Sequence, residues 1–132
     1  MEKVIDQCLT IIDYTNTDML SSSIVTLLEV LNDKITMEIG TKVVTQLVRK
    51  HFAINQQGEL DEDEEAVLNN IMLAIRSVLT ALVRQSGGQL DVSWRDKLLP
   101  ILSYEAGRLH GFEPTLDCIL MLTQHETVKG KK

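Results

Sequence analysis

The residues whose types and spacing suit chemistry are Asn55, Gln57, Asp61 and Glu64, whose side-chain oxygens recur along a short polar segment ahead of an apolar run. The other reactive types are dispersed. His51, His110 and His125 form no HxxxH or HExxH pair, and each is expected near a helix end, where imidazole commonly caps carbonyls. Ser21-Ser22-Ser23 lacks a GxSxG context, and the chain has no glycine-rich phosphate loop or dinucleotide fingerprint. Neither Tyr104 with Glu105 nor His110 with Glu113 is marked by its spacing as an acid–base couple. The chain is therefore expected to be non-catalytic and to carry no cofactor.

Taken together, Ala53 to Glu64 resembles an EF-hand calcium loop. Gly58 stands at the sharp turn, Leu60 at the small apolar contact, Asp61 at the ninth position and Glu64 at the twelfth, where the family places a bidentate carboxylate. The resemblance implies Asn55, Gln57, Asp61 and Glu64 as metal ligands. Ala53 departs from it, standing where the family has its first carboxylate. The same residues have a second use, because Asp61 and Glu64 are spaced as a capping box for a following helix. Acids in a first helical turn each gain about 0.3–1 kcal/mol from the backbone dipole.

Five successive carboxylates, Asp61 to Glu65, also repel one another, so capping alone does not account for them. With Glu59, this segment holds six of the 19 acids; the remainder, 13 acids against 13 bases, is neutral. The net charge of −6 is thus one local feature. Glu59, Asp61, Glu62, Asp63 and Glu65 are the expected contact for another protein through a basic patch on that partner. The bases are scattered apart from Arg49-Lys50 and the tail lysines Lys129, Lys131 and Lys132, so no stripe suits a phosphate backbone and nucleic acid is not expected.

What must position these groups is a set of helices. Of 132 residues, 44% are hydrophobic and only 4% aromatic, which suits aliphatic helix packing. Val4, Ile5, Cys8, Leu9 and Ile12 repeat as one face of a first helix. A second helix, capped by Thr17 or Asp18, places Leu20, Ile24, Leu27, Leu28, Leu31 and Ile35 within about 100° of arc. A third, over about residues 38–52, turns Ile39, Val43, Val44, Leu47 and Val48 inward, and its continuity with the second is open.

The fourth helix, from about Glu62 to Ser86 and ended by Gly87-Gly88, is apolar over roughly 200°, twice the arc of an ordinary surface helix. It must touch protein on two sides. A fifth is expected from near Ser93 to His110 with a kink or restart at Pro100. A sixth opens at Glu113-Pro114, with Leu116, Ile119 and Leu120 as its docking face. Met121 and Leu122 then point elsewhere, so Leu116, Ile119, Leu120, Met121 and Leu122 are the expected self-association residues of a homodimer.

Cys8 and Cys118 stand among aliphatic residues with no CxxC spacing, as buried reduced thiols would in a cytoplasmic protein. Met1 to Asp6 lacks the apolar run of a signal peptide, and no stretch reaches the ~18 unbroken apolar residues of a membrane span. The sequence thus predicts an all-α bundle of five to seven helices around a central hydrophobic helix, a single domain over residues 1–126 with a flexible basic tail at 127–132. Its expected function is a non-catalytic interaction module, adaptor or regulatory. The alternative is a metal- or small-ligand-responsive helical protein using residues 53–64.

Overall fold

A computed structural model describes residues 7, 10, 18–55, 59–85, 92–108 and 112–130. They form an all-α bundle of five helices: α1 (Asp18–Val30), α2 (Met37–Asn55), α3 (Glu62–Gln85), α4 (Val92–Arg108) and α5 (Glu113–Gly130). The expected helix carrying Val4, Ile5, Cys8, Leu9 and Ile12 lies outside the described residues, as do Gly87 and Gly88.

Helix α3 is the centre. Val67, Leu68, Ile71, Met72, Ala74, Ile75, Val78, Leu79, Ala81 and Leu82 are all buried along it. It packs against α1, α2 and α5, while α4 rests on α2 and α5. By length and composition α3 could cross a membrane, the one such helix among the described residues, yet its apolar surface is covered by the other helices.

Between α1 and α2 the chain breaks. Val30 ends α1, Asn32–Lys34 make one 3-10 turn, and Ile35 is extended at φ −81° and ψ 111°. Ile35 therefore does not extend the α1 stripe as expected; it plugs the core from the connection, at 1% exposure. Thr36 then caps α2, its hydroxyl accepting from the Ile39 amide at 3.2 Å. The connection is tied to the far half of α3: the Asn32 side-chain amide donates to the Ser77 carbonyl at 3.1 Å, and that of Gln85 donates to the Ile35 carbonyl.

Helix α4 continues through Pro100, so the expected restart does not occur there. Pro100 and Asp96 both stand on the exposed face, so water can replace the donor that proline lacks. Helix α5 docks through Thr115, Cys118 and Leu122, at 1%, 0% and 5% exposure, while Leu116 and Leu120 are 45% and 52% exposed. This reverses the expected face. Thr115 and Cys118 are small, which lets α5 lie close against α3, and burial of Cys118 pushes its thiol up to about 12. Helix α5 also continues past Thr127 to Gly130.

Gly40 of α2 meets Leu82 of α3 directly: a Cβ added there would stand 2.9 Å from Cδ1, 3.0 Å from Cδ2 and 3.2 Å from Cγ. The whole isobutyl group would have to move inside a fully buried position. Overpacking of that kind costs about 1–3 kcal/mol, and alanine returns up to about 1 kcal/mol of helix propensity. Gly40→Ala should thus lower stability by about 1 kcal/mol, and Leu79→Ala, which empties the core, by about 2–5 kcal/mol. Urea denaturation of both variants checks the order; a stabilised Gly40→Ala protein would contradict the close approach.

Candidate functional site

The densest polar cluster lies inside the bundle, where α2, α3 and α4 meet. His51 occurs on the α2 face that also carries Val44, Leu47 and Ile54, and Glu105 on the α4 face that carries Leu98, Ile101 and Leu102. Helical periodicity therefore forces both polar groups into the core. Each is sealed, at 2% and 0% exposure. His51 Nε2 lies 3.2 Å from Glu105 Oε2. Arg108 closes the other side of the carboxylate with two bonds, Nε to Oε2 at 2.9 Å and Nη2 to Oε1 at 2.7 Å. Its Nη2 also donates to Asn69 Oδ1 of α3 at 2.5 Å. The Tyr104 ring stands edge-on to His51, with centroids 5.5 Å apart.

Burial opposes ionisation of Glu105, but hydrogen bonds from Arg108 and His51, with the charge of both, outweigh it and hold the carboxyl below its ordinary 4.5. Burial likewise works against the charge on Arg108, and the Glu105 carboxylate reverses it, raising the guanidinium above its ordinary value. An ionised carboxylate only accepts, so Nε2 of His51 carries a proton toward it. The imidazole is thereby committed. An acid–base dyad needs a ring nitrogen that reaches substrate; His51 is enclosed and its Nε2 is spent on Glu105. The arrangement can join three helices and hold Tyr104 at the surface.

Of the sequence-predicted metal ligands, Asn55 is the last residue of α2 and Gln57 lies outside the described residues. Asp61 and Glu64 form the reciprocal capping box of α3: the Glu64 amide donates to Asp61 Oδ1 at 2.8 Å, and the Asp61 amide to Glu64 Oε1 at 3.1 Å. Among the described residues no three His, Cys, Asp or Glu side chains gather as metal ligands. Glu59, Asp61, Glu62, Asp63 and Glu65 are all exposed, and none is within ion-pair distance of a described lysine or arginine. Of the expected self-association set, Leu122 is withdrawn into the core and Ile119 and Met121 are half-buried, which leaves Leu116 and Leu120 at the surface.

An open groove of about 410 Å³ lies where α1, the 3-10 turn and α3 meet. Its two arginines are already neutralised, Arg76 by Asp117 at 3.0 Å and Arg84 by Asp33 at 3.1 Å. It therefore presents no net cationic site.

Sequence reasoning missed the buried cluster, placing His51 at a helix end as a carbonyl cap. The signal was present: Glu105 interrupts an apolar stripe, with Arg108 three residues on, and His51 interrupts another. Comparison with protein-family models, with curated proteins and with solved structures finds no match to this chain.

Removing one partner of a buried ion pair strands the other, at a cost of about 3–5 kcal/mol. Glu105→Gln should lose about 3 kcal/mol at neutral pH, because Arg108 keeps its charge. The sign with pH follows from the lowered carboxyl. Its contribution is complete above the unfolded value near 4.5 and disappears as pH falls through the lower folded value. Wild-type protein should thus lose stability below about pH 4.5, a loss that Glu105→Gln shows to a smaller degree. Thermal melts from pH 7 to pH 3 measure both; parallel curves for the two proteins would remove the ionised Glu105 from the account.

Proposed function

We propose that this chain is a non-catalytic helical interaction module, an adaptor or regulatory protein of the cytoplasm, that binds another protein through a basic patch on that partner. The carrying observation is the exposed acidic turn: Glu59, Asp61, Glu62, Asp63 and Glu65 face solvent while the rest of the chain is electrically balanced. Like charges this close repel one another, and a basic surface on a partner would relieve that repulsion. The sealed state of His51 and Glu105 supports the non-catalytic part of the reading.

Replacing Glu62, Asp63 and Glu65 together by Gln should leave the melting profile near wild type and weaken association with a basic partner, as should raised salt, because exposed charges are screened beyond ~8–10 Å. Pull-down from the native cell with wild-type and triple-variant protein, over a salt series, provides the test. Partners retained equally in every condition would end the acidic-turn reading.

A second reading, self-association, draws on the exposed Leu116 and Leu120 of α5, which stand one turn apart on one face. A twofold dimer through that face should dissociate in Leu116→Glu with helicity retained. Analytical ultracentrifugation across concentration decides it: a monomer of 14.9 kDa at every concentration removes the dimer.

A further inference from the structure

We infer that the solvent side of the α2–α4 seam, where the bases Lys42, Arg49 and Lys97 lead to the exposed rings of Phe52 and Tyr104, is a docking surface for an acidic amphipathic helix of a partner protein. Helices α2 and α4 run side by side in the same direction, since Lys97 Nζ lies 3.3 Å from Thr45 Oγ1 and, further along both, His51 lies 3.2 Å from Glu105. The first of these contacts is at the surface and the second is buried. Phe52 is seven residues beyond Thr45, and Tyr104 seven beyond Lys97. Two helical turns, about 10 Å, bring both rings back to the surface edge of the seam. Phe52 is 63% exposed and Tyr104 41%.

The bases occupy the same strip. Arg49 stands four residues beyond Thr45 and three before Phe52, and Lys42 three before Thr45, spacings that share one helix face. On α4 the exposed Pro100 takes the corresponding place between Lys97 and Tyr104. Lys42, Arg49 and Lys97 are exposed, and no described carboxylate is within ion-pair distance of any of them. Glu38 and Asp96 stand at the end of the strip away from the rings, and Asp96 lies 4.0 Å from Arg95. From Lys42 to Asn55 and from Lys97 to Arg108 the one carboxylate is Glu105, buried and bonded to Arg108 and His51. In a chain of net charge −6, this strip is cationic.

Two of its groups are held in place before any partner arrives. Lys97 Nζ donates to Thr45 Oγ1 and lies 5.4 Å from the centroid of the Trp94 ring, and Tyr104 stands edge-on to the buried His51. Groups fixed in advance lose less freedom on binding. Charge complementarity selects the occupant, with carboxylates for the bases and an apolar anchor for the rings. A helix lying along the seam supplies both from one face, its anchor against the rings and its acids one and two turns away. A nucleic-acid strand also combines anionic and stacking groups, but three bases in a net-acidic chain neutralise few phosphates, which favours the peptide.

The proposal does not use the acidic turn of α3 and takes a partner of opposite charge, so it stands or falls apart from that reading. Calorimetric titration of the full chain uses three probes: an amphipathic Leu–Glu helical peptide of ~18 residues, about five turns, an oligoglutamate peptide of equal charge, and oligothymidylate. The amphipathic peptide should bind at least ~10-fold more tightly than either of the others. Phe52→Ser should remove most of its advantage over oligoglutamate, and Phe52→Tyr should retain it. Arg49→Glu should weaken its binding ~10-fold, whereas Lys34→Glu, the same change of charge on the 3-10 turn, should alter it less than ~2-fold, because exposed charges are screened over that distance. Phe52 and Arg49 are exposed, so their replacement spares the core. Equal affinity for the two peptides, an advantage that survives Phe52→Ser, equal losses in Arg49→Glu and Lys34→Glu, or tighter binding of oligothymidylate would each overturn the docking surface.

Discussion

Everything in this bundle answers to the surface of α3. A 24-residue helix is about 36 Å long, and this one is apolar around more than half its circumference. One neighbouring helix covers a stripe; a surface that wide needs several. Hence α1, α2 and α5 all lean on α3, and the α1–α2 connection is pulled onto it as well, with Ile35 filling space that a helix would leave open. Short connections then leave little freedom in how the remaining pieces are arranged.

Helix α4 is the exception, since it touches α3 little by backbone proximity and lies against α2 and α5. Its buried Trp94, Leu98, Ile101 and Leu102 pack into the core, and polar contacts add to them, Arg108 to Asn69 and Glu105 to His51. A buried ion pair adds little net stability over apolar packing, because desolvation cancels much of the attraction. What it adds here is selectivity: a misplaced α4 would strand Glu105 and Arg108 without partners in a low-dielectric interior. Apolar contact sets how strongly the helices associate, and the carboxylate sets which way α4 faces.

The parts legible in the sequence were those governed by local rules. The limits of α3, its capping box at Asp61 and Glu64, and the start of α5 at Glu113-Pro114 follow from short-range hydrogen bonding and proline geometry. Other elements turned on neighbours that periodicity cannot name. Ile35 fits the α1 wheel yet belongs to a connection, because Asn32 and Gln85 find partners across the core. The face of α5 was misjudged because leucine content outweighed size: Leu116 and Leu120 are more apolar than Thr115 and Cys118, but the small pair permits the closer approach. His51 and Glu105 stand 54 positions apart, and only the pairing of α2 with α4 brings them together. The acidic run was visible as charge.

The contact between Gly40 and Leu82 has a consequence for how this chain can drift. With no Cβ at position 40, the isobutyl group of Leu82 occupies space that any other residue there would claim. The two positions share one volume. A methyl group gained on α2 has to be surrendered by α3, so alanine at 40 becomes acceptable only beside a shorter side chain at 82. Substitutions at these two sites are therefore coupled across 42 positions of sequence, and the pair offers a spatial restraint that could be recovered from covariation alone.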